Sequence, residues 1–157
     1  MPFRLRLLCL GALLTAVPAH ALTVPMTGWA ATDSSQTTWA DTAGACLLHE
    51  ETLTQPYPSF QTADEARTFA LRVQQTLMGQ SEDGQKLTGV VTQPIDRAGT
   101  WTVLAVYVYT RSAVQYRATQ LFLSVGGRLR LVTGSSANGE ASACVGQMHE
   151  FLRFLAD

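Results

Sequence analysis

Residues Thr100–Thr133 read TWTVLAVYVYTRSAVQYRATQLFLSVGGRLRLVT, and the fold turns on how this stretch pairs with itself. Trp101–Arg111 is dense in Val, Tyr, Trp and Thr, side chains that suit a pleated, half-buried surface. Val114–Val125 and Arg128–Thr133 follow, separated by Gly126-Gly127. Two glycines between apolar runs mark a type I′ hairpin, because both central residues of that turn need positive φ. A two-residue turn there sets Val125 opposite Arg128, Leu123 opposite Arg130 and Leu121 opposite Val132. A second such turn at Ser112-Ala113 sets Tyr109 opposite Tyr116, Tyr107 opposite Ala118 and Val103 opposite Phe122.

Strand side chains alternate between faces, so this register sorts them. One face collects Trp101, Val103, Tyr107, Tyr109, Tyr116, Phe122, Leu129 and Leu131. The other collects Leu104, Val106, Val108, Leu121, Leu123, Val125 and Val132, with Arg117, Arg128 and Arg130 at its margin. A sheet wetted on one side alternates apolar with polar. This one is apolar on both, so each face is expected to be covered.

Two amphipathic helices are available. Thr62 and Glu65 form a capping box, and Ala66, Phe69, Ala70, Val73 and Leu77 recur at helical spacing as far as Gly79, placed to end the helix in a left-handed conformation. Near the end of the chain Cys144, Val145, Met148, Phe151, Leu152 and Leu155 share a face, with Asn138 read as the N-cap and the helix starting near Glu140. Cys46–Thr54 and Leu87–Thr92 read as strands, with a bulge at Gly89; Ser81–Gln85, Pro94–Gly99 and Gly134–Gly139 read as loops or turns. The expectation is one α+β domain over 46–157. Its antiparallel sheet has about four to six strands and carries a helix on each face, an α/β/α sandwich. The alternative is a cystatin- or NTF2-like layout with both helices on one face. The element order resembles that of PsbP/Mog1-like sandwiches in layout, without a shared motif.

Residues 1–21 have the form of a bacterial export signal: Arg4 and Arg6, an apolar Leu7–Val17, then Ala19-His20-Ala21 as the cleavage motif. The apolar run is too short for a membrane span of about 20 residues. No other run is longer, so no transmembrane helix is expected in the mature chain. Residues 22–45 are small and polar, an extended lead-in whose Trp29 and Trp39 are read as covers for a core edge. From residue 22 onward nine basic residues face twelve acidic ones, a formal charge of minus three, which argues against general nucleic-acid binding, so no nucleic-acid partner is expected. Cys9 leaves with the signal. Cys46 and Cys144 remain, an even pair that reads as one disulfide in an oxidising periplasmic or extracellular compartment.

Chemistry is sparse. Cys46, His49, Cys144 and His149 are the residue types of a zinc site, but on a strand positions three apart point to opposite faces. On a helix, positions five apart diverge by about 140°. No metal and no cofactor is expected. His49, Glu50 and His149 place imidazole beside carboxylate, yet no hydrolase, phosphate-loop or dinucleotide motif accompanies them. No catalytic residue is assigned. The candidate binding residues are Arg117, Arg128 and Arg130, which suit an anion, and Tyr107, Tyr109 and Tyr116, which suit a pocket lining. The expectation is therefore a small exported binding or accessory protein without catalysis, taking a protein or a small anionic ligand as partner. Two alternatives are a hydrolase-type enzyme whose site forms only in three dimensions and a subunit of a cell-envelope assembly.

Overall fold

The structure, a computed structural model, describes residues 22–57 and 59–157. The leader, with Arg4, Arg6 and Cys9, lies outside the described residues. In chain order the elements are β1 (Trp29–Ala31), β2 (Thr38–Asp41), β3 (Cys46–Pro56), α1 (Ala63–Gly79), β4 (Ser81–Glu82), β5 (Gln85–Lys86), β6 (Thr88–Arg97), β7 (Thr100–Arg111), β8 (Val114–Val125), β9 (Arg128–Ala137) and α2 (Ala143–Ala156). Seven strands form one sheet in the order β1-β2-β3-β9-β8-β7-β6, and β4-β5 form a separate two-stranded ribbon. Every pairing is antiparallel. The fold is mixed α+β and mostly sheet.

The central register is the one the turn chemistry dictates. Val125 pairs with Arg128, Leu123 with Arg130 and Leu121 with Val132. Tyr109 pairs with Tyr116, Tyr107 with Ala118 and Val103 with Phe122. Gly126 and Gly127 sit at φ of +59° and +74°, and Ser112 and Ala113 adopt the same left-handed region at +50° and +65°. The second turn forms although neither residue is glycine. The long β7-β8 ladder and a hydrogen bond from the Ser112 amide to Asp83 Oδ2 (2.9 Å) hold it.

Several local expectations are corrected. Pro94 does not break the chain: β6 runs through it to Arg97, because β6 is an edge strand and an edge tolerates a missing amide donor. The Gly89 bulge is present as a register shift between Thr88 and Val91. Gly134 is buried inside β9 rather than in a loop. A Cβ there would meet Met148 at 2.7 Å, so the glycine lets α2 approach the sheet. Gly79 is not left-handed; α1 ends on Gln80, whose extended backbone donates its amide to Leu77. The N-cap of α2 is Ser142, not Asn138, because β9 continues to Ala137 and Asn138 stays bonded to Gln115. The capping box of Thr62 and Glu65 is formed. Two further strands come from 22–45, and the Ser81–Gln85 segment lies in the β4-β5 ribbon, which is why the count exceeds four to six.

Two clusters make the core. One joins α2 (Cys144, Met148, Phe151, Leu152, Ala156) to Leu48, Leu121, Leu123, Val132 and the N-terminal Leu22, Val24 and Trp29. The other joins α1 (Ala66, Ala70, Val73, Leu77) to Tyr57, Val103, Ala105, Phe122 and Leu129. Members of the two clusters alternate along the strands: Leu121 and Leu123 belong to one, Phe122 to the other. Cys46 and Cys144 form a disulfide, with Cα atoms 6.1 Å apart, that ties β3 to the start of α2. Trp29 is buried and donates its indole N–H to Gln147 on α2 (3.1 Å). Trp39 packs at the edge of the same cluster.

Candidate ligand-binding cleft

The helices do not cover equal shares of the sheet. α1 lies against β6 and β7, whereas α2 lies mainly against β9, β3 and β8. On the side that carries Leu104 and Leu121, the β6-β7 half therefore has little above it. A cleft of about 420 Å³ opens there between the last two turns of α2 and strands β6, β7 and β8. Its volume falls toward the low end of small-ligand sites, about 300–1,000 Å³.

The floor is apolar: Ile95 from β6, Leu104 and Val106 from β7, and Leu152 from α2. The rim is polar. Arg117 projects from β8 on the same face as Thr119 two residues on, which is buried and lies at the floor. His149 and Arg153 flank Leu152 on α2; positions i and i+4 lie one turn apart on one side of a helix. Gln93 closes the edge-strand side and Asp157 the end of α2.

Both rim arginines are without an acidic partner. Among the described residues the ion pairs are Arg67–Asp64, Arg111–Glu82 and Arg130–Glu50, and neither Arg117 nor Arg153 belongs to one. Their field reaches the imidazole: burial, then Arg117, then Arg153 holds His149 below the usual histidine pKa. The cleft thus places two cations outside any ion pair among the described residues, with the Asp157 carboxylate as the acidic group of the lining, above a mostly apolar floor.

Of the six candidate binding residues, only Arg117 lines this cleft. Arg128 is exposed at the β8-β9 turn, eight strand positions from Arg117 along the paired ladder, or about 26 Å at the usual rise. Arg130 is occupied inside the fold: its Nε donates to Glu50 Oε1, whose side chain is only 5% exposed. The arginines are therefore not one patch. Tyr107, Tyr109 and Tyr116 form a strip on the other side of β7 and β8. Tyr109 and Tyr116 stack at 5.3 Å between centroids, and Tyr107 lies 6.4 Å from Tyr109. Burial, with Tyr109 and Glu82 adding, raises the Tyr107 hydroxyl above its ordinary pKa.

Tyr107 and Tyr109 line a second, shallower depression of about 380 Å³ together with His49, Glu51, Gln120 and Thr133. Much of its polar lining is engaged internally. Arg111 is neutralised by Glu82 at 2.6 Å and lies over the Tyr109 ring, and His49 Nδ1 shares a hydrogen bond with Thr38 Oγ1 at 3.0 Å. Gln120 bonds Thr133 at 3.2 Å.

His49, Glu50 and His149 do not converge. His49 lines the tyrosine depression and His149 the cleft under α2, while Glu50 is buried on Arg130. The sulfurs of Cys46 and Cys144 lie near Asp41, but they are bonded to each other and offer no thiolate to a metal. Sequence reasoning did not select Arg153 or Leu152 as site residues, and it weighed His149 only beside His49 and Glu50 or with the cysteines. Their i, i+3, i+4 spacing was readable, but not which half of the sheet α2 would leave bare. No family model, curated protein or solved structure matches this chain.

Proposed function

We propose that this is an exported binding protein without catalysis, and that its ligand site is the cleft between α2 and strands β6–β8. The observation that carries this reading is a concave, apolar-floored space rimmed by two arginines that have no acidic partner among the described residues. A few convergent polar groups around an apolar hollow are the usual form of a small-molecule site. Catalysis requires a nucleophile or a positioned acid and base. The cleft sets His149 beside two arginines and aliphatic side chains, a lining that favours holding an anion, so binding is the better-supported reading.

Export is supported by the leader pattern of residues 1–21 and by the Cys46–Cys144 disulfide, which fits an oxidising compartment such as the periplasm or the cell exterior. No described helix is long and apolar enough to cross a membrane. The three-layer helix–sheet–helix arrangement is supported by the alternation of the two core clusters along β8 and β9. In that arrangement the helices are offset toward opposite halves of the sheet, and the offset is what leaves the cleft open.

The test is a small-molecule screen read by methyl chemical shifts. Ligands are expected to move the resonances of Ile95, Leu104, Val106 and Leu152, and to be recovered chemically unchanged. Gln93→Trp, at an exposed rim position, is expected to abolish those shifts while leaving the melting temperature in place. Hits that map to the tyrosine strip instead, or that are turned over, would overturn the proposal.

A further inference from the structure

We infer that the cleft takes a free single-chain amphipathic anion. Its carboxylate, sulfate or phosphate head sits between Arg117 and Arg153, and its aliphatic tail lies on Ile95, Leu104, Val106 and Leu152. This deepens the binding reading above and rests on it.

Three observations converge on that class. The first is charge complementarity. Arg117 comes from β8 and Arg153 from α2, and both line the same cleft as His149. An anion at the rim is attracted by both cations, and guanidinium matches oxyanion geometry. The second is the floor. Ile95, Leu104, Val106 and Leu152 present aliphatic surface directly beneath the cations, so a head without a tail leaves that surface wet. The third is size and shape. A hollow of about 420 Å³ suits one short chain and is recessed, whereas binding to a bilayer surface calls for a projecting apolar face. Asp157 is the acidic side chain on the rim, and it opposes the head group.

The experiment is calorimetric titration of the full mature protein with decanoate below its micelle concentration, beside decanol, decylamine and acetate. Decanoate is expected to bind. Decanol and acetate are expected to bind about tenfold more weakly or worse, each lacking one half of the recognition, and decylamine not measurably. Arg117→Gln and Arg153→Gln are each expected to weaken decanoate about tenfold at unchanged melting temperature, because both residues are exposed. Asp157→Asn is expected to tighten it. Decanol binding as tightly as decanoate at the same methyls would overturn the anion class and leave the cleft as a binding site. No binding by any of the amphiphiles, or binding mapped elsewhere, would sink this inference, whereas the screen above judges the cleft by itself. Cosedimentation with anionic vesicles in the absence of decanoate binding would also overturn it, in favour of a membrane surface.

Discussion

Glu50 and Arg130 show what a single position does in this fold. His49, Glu50 and Glu51 are adjacent in sequence, but strand alternation sends Glu50 inward while both neighbours stay exposed. There it pairs with Arg130 across β3 and β9, and its second oxygen has no hydrogen-bond partner among the described residues. A buried carboxylate is tolerable only with its cation. Arg130→Leu is therefore expected to destabilise the protein by about 3–5 kcal/mol in urea unfolding, and the double variant Glu50→Leu/Arg130→Leu to recover most of that loss. A single variant as stable as wild type would show that the carboxylate is reached by water. The arginine-rich hairpin was legible in the sequence. That Arg130 is spent on an internal pair, and only Arg117 is left facing a cleft, was not, because the partner lies 80 residues away.

At the scale of elements, local chemistry determined more. The β7-β8-β9 register follows from two tight turns and from the penalty for turning an apolar face outward by a one-residue slip. α1 follows from its capping box and stripe. Where reading failed, tertiary contact overrode a local signal: Pro94 inside an edge strand, Gly134 beneath Met148, and β9 extended so that Ser142 rather than Asn138 caps α2. The Ser112-Ala113 turn keeps a residual cost, since both residues are left-handed without being glycine. Ala113→Gly is expected to raise stability by about 0.5–1 kcal/mol, the relief of left-handed strain offset in part by a more flexible unfolded chain. A fall in the unfolding midpoint would mean that the methyl group makes a contact worth more than the strain.

Across the whole molecule, the disulfide closes a separation of 98 residues between β3 and α2. In the chain-entropy picture such a closure contributes up to about 4–5 kcal/mol by restricting the unfolded chain. Cys46→Ala/Cys144→Ala is expected to lower stability by a few kcal/mol and to steepen the denaturant dependence, as the uncrosslinked chain exposes more surface. Cys46 and Cys144 are bonded to each other and buried, so the protein from residue 22 onward is expected to show no thiol to a labelling reagent unless denatured and reduced. Labelling of the native, unreduced protein would contradict the bridge.

By itself the sequence determined the central strands β7, β8 and the first half of β9 with their register, the two helices and the bridging pair, because alternation, turn preference and helical periodicity act over a few residues. The tertiary structure alone decided which half of the sheet each helix covers, and hence where the cleft opens and which arginines keep their charge free. Those outcomes depend on contacts between different elements, such as Met148 of α2 on Gly134 of β9 and Glu50 of β3 on Arg130 of β9, for which no local pattern encodes the partner.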